Sequence, residues 1–391
     1  MTEQGQAARD RHLFAPGPKR ILALDGGGVR GVITVAFLER IEAIIAKQSG
    51  GPQKLCDYFD LVGGTSTGAI IAGGVALGQS TPQLKDIYHK LAPKVFERSR
   101  LRILLLQAKF DVTALREEIA KIVEDRTLDS PDLRTGFALI AKRLDTGSPW
   151  IVSNNPRAPY WNDPDDGKFI GNRKYLLANL VRASTAAPFY FDPETVPIAD
   201  GEPLGLFVDG GVSPHNNPSL ALLMMALQKP FGMNWRTGPD DLTIVSIGTG
   251  TFRYKLAISE LGRLQTAYVL YSSLMSMMGD AGTAVLTQMQ WLGQSPTPWR
   301  INSEIDALLH DTFPGGPMFR FLRYDVRLER DWLKDHLGID MDDEEVQRLR
   351  EMDNPGSIPL AYKIGQLAAE RQVKEEHWSD GPDRDKASAM L

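Results

Sequence analysis

The chain has 391 residues, enough to bury a large core, and its 42% hydrophobic and 24% charged residues are ordinary for a globular protein. Its net charge of -5 argues against a partner that is a nucleic-acid polymer, because domains that bind such polymers are usually basic. The single cysteine, Cys56, excludes an internal disulfide framework and fits a reducing compartment, and the six scattered histidines show no metal-ligand spacing.

Residues 1–19 are polar, lack the apolar stretch of a secretory signal, and are predicted to form a flexible N-terminal tail. No run of about 18 uncharged apolar residues occurs in the sequence, so no bilayer-spanning segment is expected. We therefore expect a cytoplasmic protein, and peripheral contact with a membrane surface is compatible with that expectation.

Two strand–helix units follow the tail. A short apolar strand over residues 21–24 runs into a glycine-rich turn, and apolar residues at helical spacing predict a helix over residues 32–47. A second strand, predicted over residues 58–62, leads to another glycine-rich turn and to an apolar helix that begins near residue 69. This order favours a parallel sheet with helices on its faces.

The α/β pattern continues to about residue 250 and then changes to longer helices. Strands are predicted over residues 136–141, 150–153, 206–208 and 242–247, and helices within 82–125 and over 174–183 and 218–228. Beyond them come helical segments over 256–292 and 344–377, with a strand over 319–327 between them. The sequence thus predicts an α/β fold with a mainly parallel central sheet flanked by helices, and a helical C-terminal extension.

The second glycine-rich turn, Gly64-Thr65-Ser66-Thr67-Gly68, has the form of a nucleophile elbow between a strand and a helix. Glycines two residues to either side allow Ser66 a strained backbone conformation that exposes its hydroxyl group. The helix behind it points amide groups and a positive dipole end at charge that develops there. A serine nucleophile also needs a base that takes its proton and hydrogen-bond donors for the oxyanion, so the rest of the sequence should contain candidates for both.

The first glycine-rich turn offers the donors. Gly26, Gly27 and Gly28 place consecutive amides without side chains at a strand-to-helix turn, which is typical of an anion-binding nest. The same residues fit a dinucleotide fingerprint, but the acidic residues about 20 positions on would fall inside the following helix rather than at the end of a second strand. A purely structural turn is the remaining alternative.

Asp209 offers the base, because it ends a predicted strand and so lies at the sheet edge where Ser66 is expected. A partly desolvated carboxylate there can accept a hydroxyl proton. An ordinary Asp-Gly turn is the structural alternative. His215 raises a rival, since Ser66, Asp209 and His215 follow the Ser-Asp-His order of a triad, although six residues is a short gap for that geometry.

Three ordered motifs together resemble the patatin-like phospholipases: residues 25–31, residues 64–68 and Asp209-Gly210-Gly211. Residues 183–188 and 216–218 are similar to further parts of that family, and the resemblance covers about residues 20–250. It implies a patatin-like three-layer sandwich, with a tail over 1–19, a catalytic core over 20–255 and a mostly helical extension over 256–391 packed on the core.

The resemblance also implies a function and roles for individual residues. The expected activity is that of a lipid acyl hydrolase of the phospholipase A type, which uses a Ser–Asp dyad and no catalytic histidine, metal or cofactor. Ser66 would be the nucleophile and Asp209 the general base. The other implied site residues are glycines and one arginine: Gly26, Gly27, Gly28 and Arg30 at the oxyanion hole, Gly64 and Gly68 at the elbow, and Gly210 and Gly211 in support.

Two other functions stay open. Some bacterial patatin-like proteins are effectors or toxins switched on by a small nucleotide or a partner, which makes a nucleotide activator and a homo-oligomer candidates here, with the C-terminal third as the sensor. A non-catalytic lipid-binding protein is the third alternative, and the presence of both Ser66 and Asp209 disfavours it.

Two further segments have alternative interpretations. Residues 98–106 mix arginines with apolar residues, which suits either a membrane-surface segment or a buried helix with a charged outer face. Residues 266–279 are uncharged and rich in methionine, which suits either a cap over an acyl-chain pocket or ordinary core.

Overall fold

A computed structural model describes residues 2–96, 110, 112–253 and 266–378 of the chain. Its helices are α1 (Thr2–Phe14), α2 (Gly31–Gln48), α3 (Leu55–Tyr58), α4 (Thr67–Ala76), α5 (Thr81–Val95), α6 (Val112–Val123), α7 (Leu177–Ser184), α8 (Ser219–Leu227), α9 (Thr266–Leu292), α10 (Arg330–Leu337), α11 (Asp343–Arg350) and α12 (Ile358–Gln372). Its strands are β1 (Lys19–Leu24), β2 (Leu61–Thr65), β3 (Gly136–Arg143), β4 (Pro149–Ser153), β5 (Glu194–Val196), β6 (Gly205–Asp209), β7 (Leu242–Ile247), β8 (Gln294–Thr297) and β9 (Arg320–Tyr324).

Within these residues the strands form one nine-stranded sheet in the order β5-β6-β3-β2-β1-β7-β9-β8, with β4 pairing beside β3. The run from β3 to β8 is parallel, and β4, β5 and β6 join antiparallel at the other side. The predicted α/β fold with a mainly parallel central sheet is therefore confirmed. Because parallel strands end at the same edge, the turns after β1, β2, β7, β8 and β9 lie along one rim of the sheet.

Helices cover both faces of the sheet, as the alternation along β1 shows. Leu22 and Leu24 belong to a core formed with α2, α4, α5 and α12, whereas Ile21 and Ala23 belong to a second core formed with α1, α8 and α9. Side chains alternate between faces along a strand, so a strand buried on both faces reads as one apolar run. This three-layer packing holds in place the edge of the sheet at which the parallel strands end, and the candidate site lies at that edge.

The C-terminal third supplies part of this sheet as well as helices. Strands β8 and β9, both beyond residue 255, extend the parallel sheet next to β7. Helix α12 packs closely against α2, where a Cβ atom on Gly365 would lie 2.9 Å from Ala36 Cβ. The division of the chain at residue 255 stays a prediction, and the sheet is continuous across it.

Several local predictions need correction. Where a flexible tail was predicted over residues 1–19, the structure has helix α1, whose Leu13 is fully buried and whose Leu13 carbonyl accepts a hydrogen bond of 2.7 Å from Trp235 Nε1. The strand predicted over residues 58–62 begins instead at Leu61, because Leu55–Tyr58 forms α3. The sequence also gave no sign of β5, β8 and α10. The basic segment 98–106 lies outside the described residues.

Candidate active site

Ser66 sits on a strained turn between β2 and α4, with φ 56° and ψ -124°. Positive φ is unfavourable for a non-glycine residue, so the packing and hydrogen bonds around Ser66 must hold the turn in this conformation. A Cβ atom on Gly64 would lie 2.1 Å from the Gly68 backbone, and one on Gly68 would lie 2.2 Å from the carbonyl oxygen of Leu24. Both glycines are therefore required by the close packing of α4 on β1 and β2.

Ser66 is held by a hydrogen bond of its main chain. Its amide donates to Ser184 Oγ at 3.0 Å, and Ser184 in turn donates to the carbonyl oxygen of Ile140 at 2.6 Å. The Ser66 and Asp209 side chains line the same cavity, and Ser66 is near enough to the Asp209 carboxyl group to lower its pKa. The structure thus places in one cavity the two residues that the sequence proposes as nucleophile and base, although they lie far apart along the chain.

Asp209 ends β6 and is 5% exposed. Burial raises the pKa of its carboxyl group to about 6, while the hydrogen bonds from Ser66 and from the Gly211 amide and the positive charge of Arg182 limit the rise. The Gly211 amide donates to Asp209 Oδ1 at 2.7 Å, and a Cβ atom on Gly210 would lie 2.3 Å from the carbonyl oxygen of Ile140. A carboxylate with a pKa near 6 is ionised at neutral pH and is a stronger base than an exposed one.

The glycine-rich turn after β1 lies next to Ser66, since a Cβ atom on Gly26 would be 3.1 Å from Ser66 Cβ. Thr249 Oγ1 donates to the Gly26 carbonyl at 2.9 Å, and the Gly26 amide donates to the Asn216 carbonyl at 3.2 Å. In the described part of the chain the amides of Gly27 and Gly28 have no acceptor. Two free amides beside the serine can bind an oxyanion.

Arg30 turns back onto the same loop rather than toward a substrate. Its Nε donates to the Gly27 carbonyl at 3.4 Å, its Nη1 donates to the Gly250 carbonyl at 3.2 Å, and its guanidinium carbon lies 5.4 Å from the Phe252 ring centroid. These contacts suit the loop-supporting role that the resemblance implies. The next amide, that of Val29, donates to the Met352 carbonyl at 2.9 Å, so the C-terminal third also touches this loop.

A buried ion pair anchors the start of the loop to β9. Arg323 donates from Nη1 to Asp25 Oδ1 at 3.2 Å and from Nη2 to Asp25 Oδ2 at 2.8 Å, and it also contacts Asp325 at 2.6 Å. Burial raises the pKa of Asp25 to about 6 despite the opposing charge and hydrogen bonds of Arg323. Sequence reasoning missed Arg323, because it lies 298 residues from Asp25 and in no motif.

His215, the rival third member, takes no part in the Ser66–Asp209 contact. Within the described residues its buried Nδ1 has no hydrogen-bond partner, and burial lowers its pKa. Its carbonyl oxygen instead accepts a hydrogen bond of 2.6 Å from Thr65 Oγ1. These contacts of His215 in the described residues give no support to the triad, and the dyad stays a prediction.

Ser66 and Asp209 open into a cavity of about 850 Å³. One arm is apolar and is lined by α4, α5, α6 and the segment after α7: Ile70, Ile87, Leu91, Val95, Leu115, Phe189 and Phe191. Leu274, Met275 and Met278 of α9 line the cavity as well, so the methionine-rich run contributes to the pocket wall. A long apolar arm beside the serine suits an acyl chain.

Among residues 2–96, 110, 112–253 and 266–378, no group of three or more His, Cys, Asp or Glu side chains could hold a metal ion. In that same part of the chain, no helix is long and apolar enough to cross a membrane.

Comparison with known proteins identifies the family. The family model described as "Patatin-like phospholipase" matches residues 22–223, which is more than half of the chain and includes Ser66, Asp209 and the glycine-rich loop. The chain belongs to the patatin-like phospholipase family. The matched region ends at residue 223, within α8, so β7, β8, β9 and the arginines that follow them lie outside it.

Bacterial relatives of this patatin-like protein are named for nucleotide activation. The chain is 32% identical over 254 residues to a cGAMP-activated phospholipase of Vibrio cholerae, an alignment that covers 62% of this chain and 67% of that protein. It is 32% identical over 236 residues to a cUMP-AMP-activated phospholipase of Escherichia coli, covering 60% and 65%. The alignments thus span about two thirds of the relatives' own lengths.

The family also includes a relative described as inactive, and more distant structures overlay on this patatin-like fold. A "Probable inactive patatin-like protein 9" of Arabidopsis thaliana is 29% identical over 255 residues, covering 61% of this chain and 62% of that protein. The structure of human GIVD cytosolic phospholipase A2 overlays with a TM-score of 0.48 at 10% identity, covering 97% of this chain and 62% of that chain.

Proposed function

We propose that this protein is a phospholipase A-type acyl hydrolase that cleaves carboxylic esters of phospholipids or other glycerolipids with Ser66 and Asp209. The observation that carries the proposal is that Ser66, on its strained turn, and the buried Asp209 carboxyl group line one cavity together with the glycine-rich loop and apolar side chains. Membership of the patatin-like family supports it independently.

The first half-reaction forms an acyl-enzyme. Ser66 Oγ attacks the ester carbonyl carbon while its proton passes to the Asp209 carboxylate. The amides of Gly27 and Gly28 donate hydrogen bonds to the oxyanion of the tetrahedral intermediate. When the intermediate collapses, the bond between the carbonyl carbon and the alcohol oxygen breaks, and Asp209 returns the proton to the leaving alcohol, which departs as a lysolipid.

The second half-reaction releases the fatty acid. A water molecule gives a proton to Asp209 and attacks the acyl carbon, and the new tetrahedral intermediate uses the same two amides. Collapse regenerates the Ser66 hydroxyl as Asp209 returns the proton. The acyl chain lies in the apolar arm between α5 and α6 throughout, which keeps bulk water from that side of the site.

Three substitutions test this proposal. Ser66→Ala and Asp209→Asn should each lower kcat on a medium-chain ester by at least about 10³-fold, because each removes a member of a unit that acts together. His215→Ala is the matched control and should keep kcat within a few-fold of the unsubstituted protein. Cleavage of phospholipid by the Ser66→Ala protein at an undiminished rate would refute the assignment, and a comparable loss in His215→Ala would refute the dyad.

A second candidate is a nucleotide-activated phospholipase that degrades membranes, because the bacterial relatives are named for activation by cGAMP and cUMP-AMP. Contacts of the C-terminal third with the oxyanion loop support it, namely those of Met352 with Val29 and of Arg323 with Asp25. A ligand that shifts this region would act on the site directly. Phospholipid hydrolysis that rises many-fold on addition of cGAMP or cUMP-AMP would favour this candidate, and equal rates with and without both would count against it.

We also propose a cytoplasmic location with peripheral contact at a membrane surface, since lipid substrates reside in bilayers. Co-sedimentation of the Ser66→Ala protein with liposomes would test the membrane contact, and a protein that stays in the supernatant at every lipid composition would contradict it. A homo-oligomer stays a prediction, which light scattering coupled to size-exclusion chromatography would test.

A further inference from the structure

The wall of the catalytic cavity includes residues that follow β7, β8 and β9, which we call the cationic arm. Three arginines line it, one from each of three neighbouring strand ends: Arg253 after β7, Arg327 after β9 and Arg300 after β8. None of these residues belongs to the three motifs or to the matched family region. Asn302 and Ser303 add polar side chains to the same arm.

Arg327 is held in place yet keeps much of its binding capacity. It is half-buried, its Nη2 donates to the carbonyl oxygen of Arg300, and its guanidinium carbon lies 5.7 Å from the Trp299 ring centroid. Within the described residues no carboxylate oxygen lies within 4.0 Å of its guanidinium nitrogens. Burial is the main reason that the pKa of Arg327 is lowered; the charge of Glu329 opposes this lowering, and the charges of Arg253 and Arg300 add to it. A cation that is oriented, partly desolvated and without a direct carboxylate contact is suited to bind an anion.

The other two arginines flank Arg327 and are paired at their outer sides. Arg253 donates to Glu329 at 3.1 and 2.9 Å, and Arg300 contacts Asp306 at 3.0 Å. Glu329 lines the cavity and Asp306 does not, so this arm presents three cations against one carboxylate. The Arg300–Asp306 pair is exposed at both partners, and exposed ion pairs contribute little, about 0–1 kcal/mol, so an incoming anion can compete with it.

The position of the arginines relative to Ser66 suggests which anion they bind. Ser66 follows β2 and the oxyanion loop follows β1, and the next strands in the sheet are β7, β9 and β8. Neighbouring strands are about 4.8 Å apart, so β7 lies about 10 Å from β2 and β9 about 14 Å. An arginine side chain is long, so its guanidinium group can lie closer to Ser66 than the strand from which it comes. An ester bond held at Ser66 therefore leaves the polar end of a glycerolipid facing this arm, while its acyl chain enters the apolar arm.

We propose that Arg327, flanked by Arg253 and Arg300, binds the phosphate of a glycerophospholipid head group. This inference rests on the proposed function and sharpens it, because it makes the substrate a phospholipid rather than a neutral glycerolipid. Arginine guanidinium groups recognise phosphate through paired hydrogen bonds, which a diacylglycerol cannot supply. The head group is thus selected by residues of the C-terminal third, and the acyl chain by the motif-bearing region.

A binding experiment separates this inference from catalysis. In the Ser66→Ala background, monomeric dihexanoyl phosphatidylglycerol and dihexanoylglycerol are titrated calorimetrically into the protein. Arg327→Gln should weaken binding of the phospholipid about 10- to 100-fold and leave that of dihexanoylglycerol unchanged, since a hydrogen bond to a charged group is worth about 1.5–3 kcal/mol. Arg300→Gln, at a more exposed side chain, should weaken binding of the phospholipid several-fold. Arg330→Gln, exposed and outside the cavity, is the matched control.

Other outcomes overturn the inference. If Arg327→Gln weakens binding of both ligands equally, Arg327 supports the fold of the pocket. If it weakens binding of neither ligand, the phosphate binds elsewhere. A cyclic dinucleotide is the other source of a phosphodiester, so cGAMP is titrated in parallel. If Arg327→Gln abolishes cGAMP binding and spares the phospholipid, the site is a nucleotide site. Absence of ester hydrolysis in the protein with Ser66 intact would instead count against the proposed function, whatever the titrations show.

Discussion

Asp209→Asn should make the protein more stable at neutral pH while abolishing its activity. Asp209 is 5% exposed, and burial is the main reason that its pKa is raised to about 6 from the ordinary value of 3.8. The folded protein therefore holds the Asp209 proton more tightly than the unfolded chain does. As pH rises from 3.8 to 6, the folded state loses stability relative to the unfolded state, and above pH 6 the whole cost is present.

The magnitude follows from the difference between the two pKa values. At about 1.36 kcal/mol per pH unit, it corresponds to about 3 kcal/mol of unfolding free energy at pH 7 and above. An asparagine carries no charge and so avoids this cost, while its side-chain oxygen can still accept the hydrogen bond from the Gly211 amide. A hydrogen bond made less well by the amide costs about 1 kcal/mol at any pH, so the diagnostic quantity is the part of the stability difference that changes with pH.

Urea unfolding of both proteins at several pH values between 4.5 and 8 measures this quantity. The stability of Asp209→Asn minus that of the unsubstituted protein should increase by about 2 kcal/mol over this range and level off above pH 6–7. Asp240→Asn, at an exposed position, is the control for substituting an aspartate as such. A stability difference that stays constant with pH would show that Asp209 ionises as readily in the folded protein as in the unfolded chain, and the pKa argument for the base would be refuted.

Three further predictions concern the same site. The value of kcat/KM should fall tenfold per pH unit below about pH 6 and be level above it, since Asp209 must be ionised to accept the serine proton; a fall that begins only near pH 4 would contradict this. Gly64→Ala should cost at least about 3 kcal/mol or abolish folding, since its Cβ would lie 2.1 Å from backbone atoms, whereas Gly51→Ala, in open space, should change the unfolding free energy by less than about 0.5 kcal/mol. Arg323→Gln should cost about 3–5 kcal/mol by leaving buried carboxylates unpaired, and adding Asp25→Asn should recover part of that loss, which a double-mutant cycle from urea unfolding would measure.

Strongly apolar elements were predictable because burial on both faces leaves a simple pattern. The predicted strand over residues 242–247 coincides with β7, and the helix predicted over 32–47 differs from α2 by one residue at each end. The segment predicted to be helical over 344–377 forms α11 and α12, with Asn354-Pro355-Gly356 between them. In these cases local propensity and tertiary burial require the same residues, so one sequence is enough to locate the element.

Elements whose stability comes from a neighbour were missed. Strand β8 is the polar segment Gln294–Thr297, which becomes a strand only by pairing with β9 at the edge of the sheet. Strand β2 begins later than predicted and includes Gly63 and Gly64, which have low strand propensity. A Cβ atom on Gly63 would lie 2.5 Å from Leu222, so helix α8 requires the glycine there. The residues around Gly63 do not show this requirement, because the helix that imposes it lies more than 150 residues away in the chain.

The sequence alone identified the serine, the aspartate and the glycine-rich loop, because each needs a particular residue type in a local turn and such turns leave a readable motif. The tertiary structure alone decided what surrounds them. It placed Ser66 and Asp209 in the wall of one cavity, left the His215 Nδ1 without a hydrogen-bond partner among the described residues, and brought Arg323 of β9 and Arg327 of the segment after it to the same cavity. Those contacts depend on strand order in the sheet, and strand order is set by the packing of whole layers rather than by any neighbouring residues along the chain.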